Sequence, residues 1–203
     1  MATDIDICNV ALIRLGNDII TGFDDGDKGR ACSIVYPSVK KMLLTMHPWR
    51  FATGKRQLSR LTASPTNEWL YAYQLPSDLI AGPWAVFNST DTGINPFMDW
   101  EIFEDKLYSN SEIIVIDYRY DVTEGKFPGW FQPLVELALC AALAPQLTGD
   151  ENGNTAKHYH ELAFGTPSEN MQGGYFSACK GINGRTNPNS RIVSDDIVDA
   201  RFS

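Results

Sequence analysis

The stretch Tyr36-Pro37-Ser38-Val39-Lys40-Lys41-Met42-Leu43-Leu44-Thr45-Met46-His47-Pro48-Trp49-Arg50-Phe51-Ala52 decides how this chain is read. Val35, Val39, Met42 and Met46 recur at three- and four-residue steps, which gathers them on one face of a helix. Lys40, Lys41 and Thr45 fall largely off that face. Pro48 has no N–H and biases His47 away from helical backbone angles, so the helix stops there. Trp49 and Phe51 then offer large apolar area at the junction. The stretch reads as a hinge that pins a helical layer to a β layer. Nothing in it has the look of a catalytic group.

Upstream of the hinge the pattern is helical. Thr3 and Asp6 have the spacing of a capping box, and Ile5, Cys8, Leu12 and Leu15 follow with Ala11 beside them. Gly16 can take the left-handed stop, so the first helix is expected over 4–15. Residues 17–27 form a connector, with Ile19, Ile20 and Phe23 available to pin it to a core. Asp24-Asp25-Gly26-Asp27 is acidic, but Lys28, Gly29, Arg30 and Ala31 follow where a calcium loop needs oxygen ligands and a closing glutamate. Asp27 is therefore read as a helix cap. The second helix is expected over 28–46, kinked but not ended at Pro37.

Downstream the periodicity changes. Residues 53–61 carry Lys55, Arg56 and Arg60; this is either a small anion-binding strip or a solvated edge strand, and lysine is a common guard of sheet edges. Trp69, Tyr71 and Tyr73 alternate as a strand. They are read as packing in a β core, since no basic groove adjoins them for stacking bases. Ala85-Val86-Phe87 is a short strand. Residues 100–103, 106–108 and 112–120 form a meander, and its last strand is apolar on both faces at its start, as a central strand would be. Helix then returns. Leu134, Leu137, Ala138, Ala141 and Ala142 make a small-residue face, and Pro145 and Gly149 are expected to break that helix. A fourth helix is expected over 151–164. From Gly173 onward Gly, Asn and Ser dominate, which reads as an extended tail anchored by Ile192-Val193 and Ile197-Val198. The expected fold is α+β: a helical bundle of two N-terminal and two C-terminal helices (1–50 and 127–176), an inserted antiparallel β module (51–126) and an extended C-terminal tail (177–203).

The 203 residues suffice for a sizeable core, with 43% hydrophobic and 21% charged residues. A net charge of −8 argues against a general grip on nucleic acid or on an anionic membrane. No apolar run is long enough to span a bilayer, and the N-terminus lacks the basic and apolar regions of a signal peptide. Cys8, Cys32, Cys140 and Cys179 form no C-x-x-C pair and read as buried thiols of a reducing compartment. The motifs of serine hydrolases, phosphate loops, dinucleotide folds and zinc proteases are all missing. Of three histidines, His158 and His160 stand two apart, a spacing that makes helical side chains diverge, and His47 packs or caps at the hinge. Glu101 and Asp117 are carboxylates that could meet across strands, but nothing in the sequence sets their distance. No catalytic, cofactor-binding or metal-binding residue is nominated.

Four stretches, in this order and spacing, carry a resemblance: Asp4-Ile5-Asp6-Ile7-Cys8-Asn9-Val10-Ala11-Leu12-Ile13-Arg14-Leu15-Gly16; Tyr36-Pro37 through His47-Pro48-Trp49-Arg50-Phe51-Ala52; Trp69-Leu70-Tyr71-Ala72-Tyr73-Gln74-Leu75-Pro76-Ser77-Asp78; and Tyr118-Arg119-Tyr120-Asp121-Val122-Thr123 running through Phe131 and Leu137-Ala138 to Leu147-Thr148-Gly149-Asp150. Together they resemble the tail tubular protein A family, the head-to-tail adaptors of short-tailed phages. Thr166-Pro167-Ser168 departs from the longer helix of that family. The resemblance implies a structural virion protein, assembled in the host cytoplasm into a dodecameric ring between portal protein and tail nozzle protein. DNA would pass through its lumen during ejection without sequence-specific binding, and no cofactor or membrane would be involved. Two other classes stay open on the residues alone: a soluble protein- or peptide-binding module that uses a sheet edge, and a small hydrolase.

Overall fold

Helix α1 (Asp4–Arg14) is delimited by its own side chains. In the computed structural model, which describes residues 3–90, 95–149 and 153–185, Thr3 Oγ1 accepts the Asp6 N–H and Asp6 Oδ2 accepts the Thr3 N–H, at 3.1 and 2.8 Å. This is the expected capping box. At the other end Gly16 has φ +73°, its N–H reaches Ile13 O at 3.0 Å, and the Asn17 N–H reaches Leu12 O at 2.9 Å. That pair of bonds is a Schellman stop, and it needs a residue at ease with positive φ. A Cβ at Gly16 would touch nothing, so Gly16→Ala should cost only the backbone strain, about 1 kcal/mol, measurable as a lowered urea midpoint.

The connector is pinned by Asn9, whose Nδ2 donates to Ile20 O at 3.0 Å and whose Oδ1 accepts the Ile20 N–H at 2.8 Å. Ile20 is buried and Phe23 packs on the core, but Ile19 is 60% exposed and does not help as expected. Helix α2 (Gly26–Met46) starts two residues before its expected first residue. Asp25, not Asp27, occupies the cap position, and its carboxylate takes the Thr21 N–H of the connector at 3.2 Å instead of capping the helix. Gly29 permits that arrangement, because a Cβ there would lie 2.7 Å from Phe23 O. The helix runs through Pro37 and ends at Met46, where His47 turns to extended angles before Pro48.

Helix α3 (Gln132–Leu147) is the bundle's centre and packs on α1, α2 and α4 (Asn154–Phe164). Pro145 does not break it: so near the end, the missing N–H removes one late bond, and the helix stops at Thr148 beside Gly149 with φ +62°. Among the described residues a fifth helix follows, α5 (Gly174–Arg185), which packs on α4 and α3. This corrects two expectations. Three helices, not two, follow the β module, and 177–185 are helical, not extended. Residues 186–203, with Ile192-Val193 and Ile197-Val198, lie outside the described residues.

The β segment forms two three-stranded antiparallel sheets. One has the order β1 (Thr53–Gln57), β6 (Val115–Tyr120), β3 (Leu79–Phe87); the other has β2 (Tyr71–Gln74), β5 (Lys106–Ser109), β4 (Trp100–Phe103). The last strand is central and β1 is an edge, as expected. The single meander is not what forms: β4 and β5 are a hairpin, and β6 leaves it for the other sheet. Strand β3 is also longer than Ala85-Val86-Phe87, because Gly82 and Pro83 sit in an irregularity of its pairing with β6 between Ala81 and Ala85. Buried Val86, Ile116 and Tyr118 of one sheet meet Tyr73 and Leu107 of the other in a small core. The helices share a larger one, and Tyr120 packs against both. The fold is α+β, helices plus a β module.

Candidate functional site

The hinge gathers a cluster of aromatic rings around Trp49. Trp49 is fully buried and its Nε1–H donates to Leu43 O near the end of α2, at 2.7 Å. The rings of Phe131, Trp130 and Phe176 stand 5.1 to 5.7 Å from it, mostly edge to face, and Phe51 stacks at 6.2 Å. Pro48 cannot supply the N–H that the last turn of α2 lacks. Arg119 of β6 partly replaces it, since its Nη1 donates to Thr45 O. Its Nε finds no hydrogen-bond partner among the described residues, and burial lowers its proton affinity from the ordinary value. Tyr120, also on β6, donates its hydroxyl to Phe51 O at 3.1 Å. Adjacent side chains of one strand thus hold the β module to both sides of the hinge.

Helix α5 closes the hinge from the other direction. Asn183 is 5% exposed; its Oδ1 accepts the Arg50 N–H at 2.9 Å, and its Nδ2 lies 3.4 Å from Pro48 O and 3.2 Å from His47 Nε2. The sequence reading missed this residue by taking the segment as tail. Phe176, Cys179 and Asn183 are buried at three- and four-residue steps, and that spacing was the available signal.

Beside the hinge, α2 meets the turn after β6. Lys40 Nζ lies 2.9 Å from Glu124 Oε1 and 3.0 Å from Asp121 Oδ1, and the Tyr36 hydroxyl donates to the same Glu124 oxygen at 3.0 Å. The Lys40 side chain is only 13% exposed. Burial pushes the Glu124 carboxyl up, but the Lys40 ammonium, a backbone N–H and the Tyr36 hydroxyl outweigh it, so the net direction is down. For Lys40 burial lowers and the two carboxylates raise, with the net direction up. Burial and then Glu124 push the Tyr36 phenol up. These groups floor a cavity of about 380 Å³ whose other wall is Phe23, Pro37 and Ile80. A second ion pair joins exposed Arg14 of α1 to buried Glu136 of α3 at 2.9 Å, and it too went unread in the sequence.

The small-residue face of α3 is partly open. Ala138, Ala141 and Ala142, with Val39 and Met42 of α2 and Phe164 of α4, border an apolar groove of about 430 Å³. His160 lies along this groove against Phe164 at 5.1 Å, whereas His158 packs on Tyr159 at 5.5 Å; both are exposed. Among the described residues no three His, Cys, Asp or Glu gather as metal ligands would. Glu101 and Asp117 are in different sheets: Glu101 accepts from Trp69 Nε1 at 3.2 Å, and Asp117 sits 3.2 Å from Lys55 Nζ, at ion-pair distance but off the hydrogen-bond direction.

The cations of the basic strip are each engaged. Lys55 also lies over the Phe87 ring at 3.7 Å, Arg60 over Tyr71 at 4.9 Å, and Arg56 is 3.9 Å from Asp78. That favours the edge-strand reading over an anion site. Tyr73 is buried between the sheets, as expected of core packing. All four thiols are free and buried. Burial pushes those of Cys140 and Cys179 up to about 12, and hydrogen bonding to Cys32 and then burial push Cys8 up as well. The same hydrogen bond to Cys8 moves the Cys32 thiol down, and the three raised thiols serve as packing groups. Among the described residues no helix is long and apolar enough to cross a membrane. Comparison with protein-family models and with curated proteins finds no match to this chain.

Proposed function

We propose that this chain is a structural virion protein: one subunit of a ring-shaped head-to-tail adaptor of the tail tubular protein A kind, seated between a portal and a tail nozzle. The observation that carries the reading is where the four resembling stretches fall. They build α1, the Pro48 hinge, strand β2, and the run from β6 into α3, which are the parts that frame the fold. A cyclic assembly needs two unlike faces on every subunit. The open alanine face along α3 suits one of them, since small residues let a neighbouring helix approach closely. A net charge of −8 suits the wall of a channel that DNA slides past without adhering.

The test mixes purified chain with the portal of its own phage and examines the product by light scattering and negative-stain imaging. Rings holding many copies per portal ring are the expected outcome. A one-to-one complex, or no joint complex, would overturn the reading. A free monomer without portal is compatible with it, because assembly on the partner supplies the missing contacts.

A further inference from the structure

The Asn183 amide at the hinge reports the protonation state of its neighbour. A backbone N–H only donates, so the Asn183 oxygen must be the atom facing Arg50 N at 2.9 Å. Its nitrogen, a donor, then faces Pro48 O at 3.4 Å and His47 Nε2 at 3.2 Å. For that contact to be a hydrogen bond, Nε2 must present its lone pair, and the neutral imidazole carries its proton on Nδ1. Protonation would put two donors opposite each other. The half-buried ring stands edge to face against Trp49 at 4.7 Å and Phe176 at 6.5 Å, so an imidazolium there keeps only part of its hydration. Lys180 of α5 and Arg119 of β6 are the charged groups that act on it, and both are cations.

We infer that α5 is a proton-operated latch: Asn183 holds it on the hinge while His47 is neutral, and protonation of His47 in mild acid releases it. Burial, then Lys180 and Arg119, lower the imidazole's proton affinity from the ordinary 6.5. The released state returns the ring to water and therefore binds the proton more tightly. By linkage, docking weakens as pH falls through 6.5. The latch needs only contacts within one chain and does not depend on the adaptor reading.

Hydrogen exchange of the full chain at pH 7.5 and 5.0, corrected for the intrinsic pH dependence of exchange, tests this. Protection of α5 should fall about 5- to 30-fold at pH 5.0, the upper figure being the limit for an imidazole that titrates at 6.5 once released. Protection of α1 should hold. His47→Gln should make α5 protection independent of pH, and Asn183→Asp should reverse the sign, because a carboxylate accepts from an imidazolium. Unchanged α5 protection in the native chain, an equal fall in His47→Gln, or a parallel fall in α1 would overturn the latch. So would nitrogen NMR of the native chain at pH 7.5 that finds the His47 proton on Nε2, a measurement needing no variant.

Discussion

Trp49→Ala is expected to remove about 4 kcal/mol of folding stability, the largest effect of any single substitution discussed for this chain. Trp49 has no exposed surface, and its ring meets side chains from the turn before α3 and from α5 as well as its own segment. Truncation leaves a cavity where the helical layer joins the β layer, and the surrounding rings cannot all collapse into it. The loss is a large part of the 5–15 kcal/mol that an ordinary domain possesses. Trp49→Phe separates the causes. It keeps most of the packing but leaves Leu43 O without the indole donor, and should cost about 1–2 kcal/mol more than a purely volumetric change predicts. Urea unfolding followed by far-ultraviolet circular dichroism gives both values. A loss under 1 kcal/mol for the alanine variant would mean that the hinge is not where the layers are joined.

Lys40→Ala should cost about 2–3 kcal/mol at neutral pH, below the full value for a buried pair because Asp121 remains half open to water. Removing the ammonium leaves the Glu124 carboxylate one fifth exposed, with the Tyr36 hydroxyl and a backbone N–H as its remaining donors. The pH profile gives the sign. Glu124 is held below its ordinary 4.5, so its contribution is present above that pH and lost as pH falls through the folded value. Lys40 is held above its ordinary 10.5, so its contribution is present below that pH and lost as pH rises through the folded value. The gap between native chain and variant should therefore be widest between those limits and close toward both. The double variant Lys40→Met, Glu124→Gln should recover part of the loss, since neither uncharged side chain demands a counter-ion. A gap that stays constant from pH 3 to 8 would show that Lys40 acts through its stem and not its charge.

Much of this fold was legible where local chemistry decides the outcome. Thr3 and Asp6 fix a helix start within four residues of each other, and Gly16 fixes its stop. The apolar spacing around Pro37 outweighs one missing bond, and the doubly apolar start of β6 marks a central strand. Failures arise where distant residues decide. Asp25 and Asp27 are equally good caps by type, and only the approach of the connector to Gly29 selects between them. The short strand expected at Ala85-Val86-Phe87 extends back to Leu79, because an irregularity between Ala81 and Ala85 absorbs Gly82 and Pro83 in an edge strand. Gly181 and Gly184 disguise α5, whose stability comes from Phe176 and Asn183 docking on a hinge more than 120 residues earlier. The site was legible in part: the hinge stood out from its proline and aromatics, whereas the Lys40 network did not, because ion-pair partners leave no periodic trace, and Asn183 was hidden by the glycines of α5 although its spacing from Phe176 and Cys179 is helical.

The separation of Asn183 from the backbone it clamps has a consequence for biosynthesis. Pro48 precedes Asn183 by 135 residues. A ribosome adding about 5–20 residues per second needs roughly 7 to 27 s to cover that interval. Throughout it, the emerging N-terminal half carries a Trp49 without its Phe176 neighbour and an Arg50 amide without its acceptor. The hinge therefore stays without its last partners until the late part of the message is translated.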